Sequence, residues 1–141
     1  MILPIATYAS ETWTLTAELS RNLRGFENDC LRAILGKSRM DRNTTKSIRE
    51  RLSVKSTILE NIQSRRLKLF GHVNRRPMDS AIYRAYKDDF RGTRPAGRPA
   101  KRWSDQIRSD TNLPLLTAER NTMDRDAWRT RLRRGARGAI T

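Results

Sequence analysis

The sequence predicts a mainly α-helical fold, a small bundle of about five or six helices with one extended basic strap near residues 91–102. Three observations carry that expectation. Apolar residues recur three and four positions apart over most of the 141 residues. No alternating apolar–polar stretch is long enough to make a sheet. Only 36% of residues are hydrophobic and 32% are charged, so the core must be small and shared between amphipathic helices.

Met1 to Ala6 is apolar, but it lacks a basic leader and is too short for the apolar part of a secretory signal. Leu15, Leu19, Leu23, Phe26 and Cys30 then mark one face of a helix, and Leu31, Ile34 and Leu35 continue it. Thr16 is placed to cap its start and Gly36 to end it. Cys30 and the three tryptophans, Trp13, Trp103 and Trp128, are expected to pack rather than to react or stack on bases. A short helix follows over Thr45–Leu52, with Ile48 and Leu52 one turn apart. Ser56 is placed to cap a longer one running to about Arg75. Its apolar face is Ile58, Leu59, Ile62, Leu69, Phe70 and Val73, and Arg65, Arg66, Lys68, Arg75 and Arg76 surround the other side. Pro77 ends it.

Ser80–Asp89 reads as one more short helix, carrying Ile82, Tyr83 and Tyr86. The composition then changes. Residues 91–102 hold five basic residues, no acid, two glycines and two prolines, which neither a helix nor a buried strand accommodates. A helix with Trp103 and Ile107 follows. The last helix, from about Thr117, carries Met123, Trp128 and Leu132, and Arg129, Arg131, Arg133, Arg134 and Arg137 form a basic tail fraying from Gly135.

Charge narrows the function. Lys and Arg number 30 against 15 Asp and Glu, a net of +15, and 24 of the 30 are Arg. Guanidinium forks bind phosphate oxygens two at a time, so the bias points to nucleic acid. The excess is uneven, because residues 1–30 are net −2 and the remainder holds +17. One cysteine and one histidine exclude an internal four-ligand zinc site and a disulfide framework. No apolar run approaches the roughly 20 residues that span a bilayer. A soluble, intracellular chain is expected.

Catalytic signals are few. Tyr86-Lys-Asp-Asp89 spells the Y-x-D-D box of reverse transcriptases, in which paired carboxylates hold Mg²⁺. That chemistry needs a hairpin between apolar strands, and here the preceding flank is helical, so Asp88 and Asp89 read as a helix end. His72 has no evident triad partner and is expected to hydrogen-bond near the end of its helix. Ser104-Asp105 after Trp103 reads as helix-capping chemistry. Gly97-Arg98-Pro99 is similar to the core of an AT-hook, but Ala96 stands where the hook has another Arg. A strap that tracks phosphates is the better description.

Five landmarks follow one another in order: Tyr8-Ala-Ser-Glu-Thr-Trp13, Cys30-Leu-Arg-Ala-Ile-Leu-Gly36, Arg65-Arg-Leu-Lys-Leu-Phe-Gly-His-Val73, Gly97-Arg-Pro-Ala-Lys-Arg-Trp103 and Asp124-Arg-Asp-Ala-Trp-Arg129. Together they resemble the region C-terminal to the polymerase domain in non-LTR (LINE-type) retrotransposon endonuclease/reverse transcriptase proteins, over roughly residues 3–132. Ala9 departs from the family pattern, which has Gly there, and Asn74 departs where an apolar residue is usual. The resemblance implies that residues 1–14 are a trace of the polymerase region. It is followed by a helical segment at 15–90, the strap at 91–102, C-terminal helices at 103–134 and a disordered tail at 135–141.

The implied function is a detached nucleic-acid-binding segment that holds template RNA or target DNA and is not catalytic alone. Arg65, Arg66, Lys68, Arg75 and Arg76 would contact phosphates from the helix, and Arg91, Arg94, Arg98, Lys101 and Arg102 from the strap. No catalytic residue, metal or cofactor is expected. The expected partners are RNA, DNA or both, and the polymerase domain of an intact family protein, with no membrane or small-molecule substrate. The expected location is nuclear or cytoplasmic. Two alternatives stand beside this one: a non-functional remnant of a truncated element, and an active RNA-directed DNA polymerase or nuclease using the acids near Asp88.

Overall fold

A computed structural model of the chain describes residues 3–87, 97 and 101–138, giving the backbone alone for 3 and 134–138. Every regular element among them is helical. In order they are α1 (Leu3–Ala6), a 3-10 turn at Ser10–Thr12, α2 (Ala17–Ile34), a second 3-10 turn at Arg39–Asp41, α3 (Thr45–Arg51), α4 (Ile58–Asn74), α5 (Ala81–Lys87), α6 (Trp103–Thr111), α7 (Leu115–Met123) and α8 (Arg125–Gly138). The mainly α expectation holds. The helix count exceeds the predicted five or six for two reasons. The four-residue α1 is too short to show a period, and the predicted last helix is two helices.

Threonine hydroxyls start three of these elements. Thr16 Oγ1 accepts from the Leu19 amide at 3.1 Å, Thr44 Oγ1 from Ser47 at 3.2 Å and Thr57 Oγ1 from Glu60 at 3.1 Å. The cap of α4 is therefore Thr57 rather than Ser56. Glu60 decides the position, because its carboxylate returns to the Thr57 amide at 2.8 Å and completes a reciprocal capping box. At the far end of α2, Gly36 adopts φ 61°. Its amide donates to the Ala33 carbonyl at 3.1 Å and the Lys37 amide to Arg32 at 2.9 Å, a Schellman ending that needs a residue at ease in the left-handed region.

The α7–α8 break falls at Asp124, whose backbone is extended at ψ 106°. Its Oδ1 accepts from the amides of Asp126 and Ala127 at 3.0 and 2.9 Å, so one side chain ends α7 and starts α8. Helix α8 runs to Gly138, past the Gly135 at which fraying is predicted.

Helix α4 serves two cores. Its first half meets Leu15, with Ile58 and Ile62 buried beneath Trp13, Leu19, Leu23 and Leu59. Its second half contributes Leu67 and Phe70 to a larger cluster with Ile107, Ala118 and Trp128, covered by Tyr86, Trp103, Leu113, Leu115 and Leu132. The tryptophans pack as expected. Helix α2 is covered less than its apolar stripe predicts, since Phe26 and Ile34 are exposed and Cys30 is only half-buried. The chain ahead of α2 is tied to the rest around the first 3-10 turn: Ser10 is fully buried, and Trp103 Nε1 donates to the Glu11 carbonyl at 2.9 Å.

Ala9 holds a backbone conformation that glycine adopts more readily. It sits at φ 52°, ψ 19°, ahead of the first 3-10 turn, and its carbonyl accepts from Thr12 Oγ1 at 2.8 Å. The left-handed region costs an L-residue roughly 1–2 kcal/mol, and glycine restores about half of that to the unfolded chain as entropy. Ala9→Gly is therefore expected to stabilise the fold by about 0.5–1 kcal/mol, read from the midpoint of urea unfolding. An unchanged or lowered midpoint would contradict the strain at this turn.

Candidate nucleic-acid interface

The basic side chains of α4 divide into three environments, set by their angle on the helix. Arg65, Lys68 and His72 follow one another at steps of three and four, and Arg76 continues the row just beyond the Arg75 cap. All four are exposed. Arg65 is held by Thr7, donating through Nη1 to its carbonyl at 3.1 Å and its hydroxyl at 3.0 Å. Lys68 forms no hydrogen bond or ion pair among the described residues. Arg76 donates to His72 Nε2, from Nε at 3.1 Å and with Nη2 at 2.9 Å. His72 thus has the hydrogen-bonded role near the helix end that its position predicts.

Arg66 does not belong to this row. It lies one turn from Ile62 and one from Phe70, both fully buried, and is itself 1% exposed. Its Nη1 meets Asp110 Oδ2 at 2.6 Å, so it holds α6 against α4 from inside the core. A guanidinium so placed does not reach a phosphate outside. This corrects the expected set.

Arg75 is intermediate. It donates through Nη1 to the Thr122 carbonyl at 2.7 Å, tying α4 to α7. Burial, then the charges of Arg125 and Arg129, hold its guanidinium below the usual arginine value. Sequence spacing missed this grouping, because Arg75 and Arg125 are fifty positions apart and only the α7–α8 break at Asp124 brings them together. The second positive patch therefore sits at the α7–α8 corner.

Of the strap, Arg91, Arg94 and Arg98 lie outside the described residues, as do Asp88 and Asp89. Lys101 and Arg102 are exposed at the entry to α6. Asp105 caps that helix as expected, its Oδ2 accepting from the Arg102 amide at 3.0 Å. Tyr86 of the Y-x-D-D sequence is in α5, not on a hairpin. Its hydroxyl donates to Glu119 Oε1 at 2.8 Å, and its ring stacks edge-on against Phe70 with centroids 6.1 Å apart. Burial and the bond to Glu119 push this phenol well above the usual tyrosine range.

Several carboxylates are engaged elsewhere. Glu27 pairs with Arg49 at 2.8 Å and also accepts from the Ile58 amide at 3.0 Å, which anchors the start of α4 from inside the fold. Asp29 pairs with Arg39, Glu119 with Lys87, Asp105 with Arg108 and Asp126 with Arg129. Among the described residues, none pairs with Arg65, Lys68 or Arg76. Nor does any group of three His, Cys, Asp or Glu side chains converge there as a metal site. No described helix is long and apolar enough to cross a membrane. Compared with protein-family models, curated proteins and solved structures, the chain matches none.

Proposed function

We propose that this chain binds RNA or DNA through the exposed face of α4 and the basic segment that leads into α6. In this reading it is the nucleic-acid-holding C-terminal part of a LINE-type reverse transcriptase, without catalysis of its own. The observation that carries the reading is the row Arg65, Lys68, His72 and Arg76, exposed and free of carboxylate partners among the described residues. The cations of that row, Arg65, Lys68 and Arg76, are uncompensated on one face and attract a polyanion, and contacts to phosphates alone do not select a base sequence. Arg75 with Arg125 and Arg129 extends the positive field around the α7–α8 corner.

Binding to a short duplex or single strand is expected to weaken linearly in log K against log salt. Lys68→Gln and Arg76→Gln should each lower that slope by about 0.7–0.9, the release of one counterion, and weaken all sequences alike. Fluorescence anisotropy at several salt concentrations measures both. A dissociation constant that ignores salt, or variants that change sequence preference at constant slope, would overturn the proposal. Cooperative thermal melting followed by circular dichroism separates a folded binder from an inert remnant.

A further inference from the structure

At the N-terminal end of the α4 row lies a half-open cavity of about 250 Å³ between Pro4 and Thr7 on one side and Ile58, Asn61, Ser64, Arg65 and Lys68 on the other. Its chemistry is two-sided. Pro4 and the buried Ile58 give it an apolar floor, while Asn61, Ser64, Arg65 and Lys68 present an amide, a hydroxyl and two cations from successive turns of one helix. Arg65 is already oriented by its two bonds to Thr7 through Nη1. Its Nε and Nη2 make no bond among the described residues, and neither does Lys68. The volume falls below the roughly 300–1,000 Å³ of pockets for drug-sized ligands. One small anionic group attached to an apolar body fits.

We propose that this cavity binds a phosphomonoester, carried by the end of a nucleic-acid strand or by a free mononucleotide. Such a group bears about −1.5 to −2 charge at pH 7 and three acceptor oxygens. A pre-oriented guanidinium fork, an ammonium and a hydroxyl satisfy those oxygens better than they satisfy a phosphodiester, which has one charge and two chain continuations. The attached sugar or base lies on the Pro4–Ile58 side. The proposal rests on the nucleic-acid reading only for the strand as the source of the phosphate.

The full chain is titrated with a short single strand carrying a 5′-phosphate, the same strand with a 5′-hydroxyl, adenosine monophosphate and inorganic phosphate. Strand affinity is read by anisotropy, and the small ligands by amide shifts of Ser64, Arg65 and Lys68. The phosphorylated strand is expected to bind about tenfold more tightly than its hydroxyl twin, the effect of one further charge-assisted hydrogen bond. Ser64→Leu, which fills the cavity with a neutral side chain, should erase that ratio and leave the hydroxyl strand's affinity unchanged. Asn61→Leu serves the same purpose if Ser64→Leu does not fold.

A ratio above one without shifts from adenosine monophosphate assigns the cavity to strand ends. Shifts without a ratio assign it to free nucleotides. Equal binding of both strands with no shifts from either small ligand overturns the cavity proposal and leaves the α4 interface standing. Shifts from the small ligands with no binding of either strand would do the reverse.

Discussion

Gly71→Ala is expected to destabilise the protein by about 3 kcal/mol, although alanine is the better helix former by about 1 kcal/mol. A Cβ at position 71 would lie 2.6 Å from Trp128 Nε1, 2.8 Å from its Cδ1 and 3.0 Å from Arg75 Nη1. The arginine end can swing away. The indole has no such freedom: it is 3% exposed, packs against Phe70 with centroids 6.1 Å apart, and donates from Nε1 to the Leu67 carbonyl at 3.1 Å. Displacing it strands a buried donor, at roughly 1–3 kcal/mol, and overpacks the core by a similar amount. For a chain of this size the loss should lower Tm by roughly 6–12 °C.

The sign makes the test sharp. Were the α4–α8 contact loose, Gly71→Ala would raise Tm, because only helix propensity would change. Trp128→Phe removes the pyrrole edge that meets position 71, so Gly71→Ala should be much less harmful in that background. A double-mutant cycle in urea measures this difference. Additive effects would mean that residue 71 and the indole do not touch. Because Trp128 fixes α8 on α4, the same variants should also loosen the placement of Arg125 and Arg129 beside Arg75, and so weaken the nucleic-acid binding proposed for the α7–α8 corner.

Gly71 also shows what was legible in the sequence. The helices around it were, because their apolar periods are long and their caps local. Thr16, Gly36 and the Ile58–Val73 face all follow from spacing alone. Three kinds of information were not local. Arg66 shares its helix angle with Ile62 and Phe70, so the buried seam was readable. Its charge argued the other way, and only a partner 44 positions on, Asp110, resolves the conflict. Glu27, the buried carboxylate under α4, depends on Arg49 and Ile58 from two other elements. The corner patch depends on a helix break whose cause is one Asp side chain. Of the basic row, Arg65, Lys68 and Arg76 were legible as a face, whereas the cavity beside them needed the path of residues 4–7 across α4.

Asp110→Ala is expected to be the most damaging single change at the α4–α6 contact, and clearly worse than Arg66→Met. The pair lies in a poor place for charge. Arg66 Nε and Nη2 and Gln106 Oε1 are buried without partners, so Asp110 supplies the guanidinium's only described hydrogen bond. Burial pushes the Asp110 carboxyl above its usual range, and Arg66 and Gln106 only partly oppose this. Desolvation therefore outweighs attraction, as it does for many buried pairs. Removing either partner still leaves the other worse off, but the two remainders differ. An isolated Asp110 can take up a proton and become neutral. An isolated Arg66 cannot shed one, because arginine stays charged at any ordinary pH.

Asp110→Ala should thus cost roughly 3–5 kcal/mol, a large share of the ~5–15 kcal/mol that holds a domain together. Arg66→Met should cost less, and Arg66→Met combined with Asp110→Leu should recover most of the loss. The pH dependence follows from the direction of the Asp110 shift. A carboxyl whose folded-state pKa is raised binds more protons folded than unfolded, so lowering pH from the folded value towards the unfolded one near 3.8 favours the fold. Arg66→Met removes the main opposing charge and moves the folded value higher. Its stability should therefore rise as pH falls from neutral towards that unfolded value, while that of Asp110→Ala should show no such rise. Thermal melts of the three variants across that range read the asymmetry directly. Equal losses with parallel pH profiles would show that Arg66 and Asp110 are solvated and that α6 is held by Ile107 and Trp103 alone.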